Sequence, residues 1–131
     1  MWLMHLNLPV FQYIQEPVAY VGIIGVFLGI IMAAISAGMF KKAGTGIKPF
    51  DEATTLVTSG FYRYTRNPMY VGMFVMLAGV ALLMGSIGAV LPLLVFILII
   101  RNNFVVAEER FLEASFGQQY LDYKSTVRRW F

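Results

Sequence analysis

Apolar and polar positions fall in long blocks along this chain rather than alternating residue by residue. Residues 17–40, PVAYVGIIGVFLGIIMAAISAGMF, carry no charged side chain. At about 1.5 Å per residue, a helix of that length crosses a hydrocarbon core roughly 30 Å thick with slight tilt. Residues 68–100 are again uncharged but too long for one ordinary span. GSIG at 85–88 supplies a break, so a helical hairpin is predicted, with arms over 68–84 and 87–107. Pro92 falls in the early turns of the second arm, where a proline is tolerated. Between the two blocks lies a polar connector, residues 41–67, punctuated by Gly44, Gly46, Pro49 and Gly60. Its Leu, Val, Phe and Tyr content argues that it is ordered and functional. Residues 1–16 mix Trp2, Phe11 and Tyr13 with His5, Asn7 and Gln12, with prolines at 9 and 17, the pattern of an interfacial segment. From Arg101 the pattern turns amphipathic. The second arm is expected to continue out of the membrane to Gly117, with a short helix after it, so that 108–131 forms a tail.

These elements predict a single-domain, all-α integral membrane protein with three transmembrane helices. Composition agrees: 59% of the 131 residues are hydrophobic and 13% are charged, against roughly 25% charged in soluble domains. The chain has no cysteine and one histidine, His5. That excludes disulfides and thiolate chemistry and argues against a metal centre. The N-terminus has no basic stretch or small-residue cleavage site, so no signal peptide is expected.

Charge sets the orientation. All ten basic residues lie in the connector (Lys41, Lys42, Lys48, Arg63, Arg66) or the tail (Arg101, Arg110, Lys124, Arg128, Arg129). The positive-inside rule then puts both in the cytoplasm and the N-terminus outside, as an odd number of spans requires. The net charge of +3 is therefore a topology signal, and nucleic acid is not an expected partner. Gly25, Gly29, Ala33 and Ala37 form a small-residue stripe on the first span. Such stripes let backbones approach closely. Packing within the chain is the simpler reading, and a homodimer through these residues is the alternative.

If the hairpin arms are of similar length, the chain is level with Pro68 again near residue 104. Glu108 and Glu109 would then lie one turn further out, beside Arg63, Arg66, Asn67 and Tyr70. Each of these has an ordinary explanation: Asn67-Pro68 as a helix start, the tyrosines as interfacial belt, the charges as topology signals or ion pairs. Gathered at one point, two carboxylates, aromatic faces and hydrogen-bond donors suit a polar ligand bearing a positive charge.

TLVTSGFYRYTRNPMYVG followed by EERFLEASFGQQYLDYKSTVRRW resembles the integral-membrane methyltransferases of the isoprenylcysteine carboxyl methyltransferase and phospholipid methyltransferase group. The resemblance covers about residues 41–131. Its specificity lies in the order of the parts: Arg-(His or Asn)-Pro-x-Tyr-x-Gly, then Glu-Glu, then Phe-Gly-x-x-Tyr-x-x-Tyr, behind a hairpin. The resemblance implies S-adenosylmethionine as methyl donor. It implies a donor pocket from Thr55, Leu56, Val57, Tyr62, Asn67, Pro68, Met69 and Tyr70, closed by Glu109 with Glu108. Leu56, Val57 and Tyr62 would meet the adenine. Arg66, with Arg63, Asn67 or the tail arginines, would meet the donor's carboxylate. Arg101, Arg128 and Arg129 are the candidate substrate-binding residues. Two positions depart from the family. Asn67 stands where many members carry histidine, and it cannot titrate near neutral pH. Val105 stands where isoprenylcysteine enzymes carry an arginine for the substrate carboxylate, which argues against a prenylcysteine acceptor.

Methyl transfer from a sulfonium is an in-line displacement needing alignment and exclusion of water, so no covalent nucleophile is assigned. The expected partners are the lipid bilayer and a lipophilic acceptor entering sideways between helices. A small multidrug-type transporter would need an ionisable residue within a span, and residues 17–40 and 68–100 have none. A sterol-type lipid reductase shares a related C-terminal pattern but needs more spans. A bare scaffold subunit makes no use of the polar cluster.

Overall fold

A computed structural model describes residues 18–42 and 56–130. The expected interfacial segment over 1–16 and residues 43–55 of the connector, Thr55 among them, lie outside the described residues. Every regular element among those described is helical: α1 (Val18–Lys42), a 3₁₀ turn at Gly60–Arg63, α2 (Pro68–Met84), a second 3₁₀ turn at Ile87–Ala89, α3 (Leu91–Ile100), a π-helical turn at Arg101–Val105, α4 (Val106–Phe116) and α5 (Gln118–Thr126).

α1 and α2 pack along their length, and glycine makes the contact. A Cβ placed on Gly29 would sit 2.5 Å from the Gly72 carbonyl, and one on Gly79 2.5 Å from the Gly22 carbonyl. The backbones therefore touch with no side chain between them, the arrangement small-residue stripes permit in a membrane. Gly25, Gly29 and Ala33 all face α2, so these three positions of the stripe pack within the chain.

The opposite faces are apolar and uncovered. Ile24, Phe27, Leu28 and Ile31 on α1, and Leu94, Val95 and Leu98 on α3, are exposed large hydrophobics. Bare apolar surface on this scale suits hydrocarbon rather than water. Two helical runs, Ala19–Met39 and Ile87–Phe116, are long and apolar enough to cross a membrane, while apolar Pro68–Met84 is shorter. Its 17 residues sit at the lower limit of about 17–25 for a span. The expectation of three spans thus meets two full-length runs and one short helix pressed against α1.

The hairpin turns where Gly85 takes φ +61°, a left-handed conformation that glycine adopts without strain. The Gly85 N–H donates to the Ala81 and Leu82 carbonyls, which closes α2. Ile87–Ala89 form a 3₁₀ turn before α3 begins at Leu91, a few residues later than the 87 expected. Pro92 lies in the first turn of α3. The π-helical turn has no counterpart in the hydrophobic pattern. There the Val106 N–H donates to the Arg101 carbonyl, five residues back. One extra residue in a turn rotates everything beyond it by about 100° relative to an uninterrupted α-helix. Gly117, at φ +57°, separates α4 from α5.

Candidate active site

The site is built where the start of α2, the start of α4, α5 and the last residues of the chain converge. α5 acts through one face. Tyr120 and Tyr123, three positions apart, are both buried, with ring centroids 6.1 Å apart. The Tyr123 hydroxyl donates to the Tyr62 carbonyl at 2.7 Å, which fastens the Gly60–Arg63 turn. Burial, reinforced by Glu109 and opposed by Arg66, pushes the Tyr120 phenol above its ordinary pKa. Burial does the same for Tyr62 and Tyr123. All three stay protonated at physiological pH.

The C-terminal strap, residues 127–130, lies across the entry to α2. The Arg66 N–H donates to the Arg128 carbonyl at 2.9 Å. Thr65 Oγ1 and Asn67 Nδ2 each donate to the Arg129 carbonyl at 3.0 Å. Asn67 does begin α2, with its carbonyl accepting from Val71. Its side chain does not cap that helix; it donates to the Arg129 carbonyl of the strap instead.

The two acids of α4 part company. Glu109 is 6% exposed. Arg129 grips it as a fork, Nε to Oε1 at 2.9 Å and Nη2 to Oε2 at 2.8 Å. Arg66 Nη1 lies 3.3 Å from Oε1. Paired charges of this kind are tolerated in a dry site because each neutralises the other. Hydrogen bonding to Glu109 holds the Arg129 guanidinium above its usual pKa. Arg66 is nearly as buried as Glu109, and its Nε and Nη1 make no hydrogen bond among the described residues. Glu108 looks elsewhere: its Oε1 accepts from the Tyr70 hydroxyl at 2.7 Å. Tyr70 in turn lines an apolar cleft of about 130 Å³ with Val71, Phe74, Phe96, Ile97, Ile100 and Trp130.

Of the residues expected at the donor pocket, the structure brings Tyr62, Arg66, Asn67, Pro68, Tyr70, Glu108 and Glu109 into this region, with Tyr62, Asn67, Pro68 and Glu109 buried. Val57 is buried, and Leu56 and Met69 are half-buried. Arg63 is exposed and lies in none of these contacts. Among the candidate substrate-binding arginines, Arg101 and Arg128 are exposed. Arg129 is engaged by Glu109 rather than held ready for a substrate. Thr65 and Trp130 carry no sequence signal of a site role, and Tyr120 and Tyr123 enter from the sequence only as part of the Phe-Gly-x-x-Tyr-x-x-Tyr motif. The Tyr-x-x-Tyr spacing, which puts both rings on one helix face, was the signal available for these two.

The family profile of phospholipid methyltransferases matches residues 10–119. The chain belongs to the phospholipid methyltransferase family. It is therefore a methyltransferase of a family of membrane-associated enzymes. It is similar to an uncharacterized protein of Haemophilus influenzae, 39% identical over 62 residues, which is 47% of this chain and 98% of that one. It is also similar to the protein-S-isoprenylcysteine O-methyltransferase of Schizosaccharomyces pombe, 36% identical over 75 residues. That match covers 55% of this methyltransferase and 30% of the yeast protein's length.

Proposed function

We propose that this methyltransferase takes its methyl group from S-adenosylmethionine and passes it to a lipophilic acceptor at the cytoplasmic membrane face. The carrying observation is that one turn of α4 presents a buried carboxylate to Arg66 and Arg129 and a second carboxylate to Tyr70, on the wall of an apolar cleft. The residues fit the donor. It bears two cationic groups, which Glu109 and the tyrosine faces stabilise in a partly dry setting. It also bears a carboxylate, which Arg66 can meet through Nε, buried without a hydrogen-bond partner among the described residues. In this reading Leu56, Val57 and Tyr62 supply the surface for the adenine. When bound, S-adenosylmethionine supplies an electrophilic methyl on a positively charged sulfur. The protein's part is to hold that methyl in line with the acceptor and keep water out.

Glu109 meets the donor's positive charge by releasing a carboxylate oxygen from Arg129, which has solvent to turn to, since its side chain is 29% exposed. The connector and tail face the cytoplasm, where the water-soluble donor is found, and the acceptor arrives sideways from the bilayer. The test is thermal stabilisation of the detergent-solubilised protein. S-adenosylhomocysteine is expected to raise the Tm and NADPH is not. The reverse result would favour a reductase. Glu109→Gln is expected to weaken S-adenosylhomocysteine binding at least tenfold, and unchanged affinity would remove Glu109 from the donor site.

A further inference from the structure

Glu108 and Glu109 are neighbours in sequence, yet only Glu109 touches the arginines. Glu108 is hydrogen-bonded to Tyr70, and Tyr70 forms part of the wall of the apolar cleft. We propose that Tyr70 and Glu108 are the acceptor half of the reaction centre, and that the acceptor is a small, uncharged, apolar molecule whose nucleophilic atom carries a proton.

Three observations carry this, resting on the methyl-donor reading above. First, the cleft's lining contains no cationic side chain. A phosphate or carboxylate seated there would lie buried without a counter-charge, which is strongly unfavourable. Second, about 130 Å³ is close to the cavity of about 150 Å³ that takes up benzene. The cleft itself has room for a short chain or one ring. Third, of the two lining residues with a polar group, Tyr70 and Trp130, Tyr70 has its hydroxyl coupled to a carboxylate at 2.7 Å. A hydroxyl with that partner can take a proton on its oxygen while giving its own to the acid.

The step balances. A lone pair on the acceptor atom forms the new bond to the methyl carbon, and the sulfur–methyl bond breaks with its electrons returning to sulfur. The acceptor's proton moves to the Tyr70 oxygen as the Tyr70 proton moves to Glu108. One positive charge on sulfur is consumed and one carboxylate is neutralised. Glu108 then returns its proton to water. Tyr70 is the catalytic residue of this pair, and Glu108 acts through it.

The probes are 1-butanethiol, which carries a proton at neutral pH, and butanoate, which does not. Purified wild type is expected to transfer label from methyl-labelled S-adenosylmethionine to the thiol and not to the carboxylate. In a Trp2→Phe background, Trp130 fluorescence is expected to respond to the thiol alone, with no donor present. Tyr70→Phe and Glu108→Gln are expected to slow transfer about 100-fold or more while keeping wild-type affinity for S-adenosylhomocysteine. Glu108→Asp is expected to recover part of the rate. Transfer to butanoate alone, or to neither probe, overturns the acceptor class. Wild-type rates in both variants, or loss of S-adenosylhomocysteine binding by them, overturns the role of the pair. Failure of wild type to bind S-adenosylhomocysteine overturns the donor reading and this inference with it.

Discussion

The α1–α2 contact and the polar site beside it hold together by opposite means. Along α1 and α2 the chain removes side chains so that backbones meet, at Gly22, Gly29, Gly72 and Gly79. At the site it adds long side chains from distant segments and ties them by hydrogen bonds: Tyr123 to the Tyr62 carbonyl, Asn67 to the Arg129 carbonyl, Arg129 to Glu109. The first interface lies between apolar helices, where water cannot compensate for a gap and shape alone decides. The second lies where each buried polar group needs a partner, so connectivity decides. The first tolerates no added atoms, whereas the second tolerates no lost partners.

The comparison can be broken by adding atoms to the first region. Gly79→Leu drives a side chain into the Gly22 carbonyl and the Val26 N–H. We expect a loss of about 3 kcal/mol or more, the upper range for overpacking, read as a lower Tm in detergent. Donor binding should fall with it, because the entry to α2 carries Arg66 and Asn67. Removing a partner in the second region comes next. Glu109→Gln leaves Arg66 and Arg129 with a neutral amide. We expect a loss of about 2 kcal/mol, below the roughly 3–5 kcal/mol for stranding a fully buried charge because Arg129 can turn to solvent. Weakened donor binding should accompany it, with the α1–α2 contact intact.

Smaller effects sharpen the contrast. Tyr123→Phe removes one hydrogen bond to the Tyr62 carbonyl. A loss of about 1 kcal/mol is expected, visible as faster amide exchange over Gly60–Arg63 with no change along α1. Glu113→Gln breaks the Lys124–Glu113 pair, whose side chains are 39% and 34% exposed. Less than about 0.5 kcal/mol should follow, since solvent screens such pairs. A Tm shift from Glu113→Gln as large as that from Tyr123→Phe would show that exposed charge, not buried connectivity, holds the tail.

Residue pattern alone carried the helices and the turn between them. The uncharged runs, the break at Gly85 and the stop at Gly117 follow from hydrophobicity and glycine's access to positive φ. So did the return of Glu108 and Glu109 to the level of Arg66 and Tyr70, because hairpin arms of similar rise must bring their ends together. Only tertiary structure decided which acid meets which partner. Consecutive residues on a helix point about 100° apart, and the π-helical turn at Arg101–Val105 shifts the register by one residue just before the two acids. The reach of an arginine is equally silent in sequence. Arg129 could have met a ligand, solvent or an acid, and the strap's hydrogen bonds to Thr65, Arg66 and Asn67 deliver it to Glu109. Local pattern determines which faces are apolar and how far a helix climbs. The pairing of long side chains depends on backbone placement across more than 60 residues of separation, which no local pattern encodes.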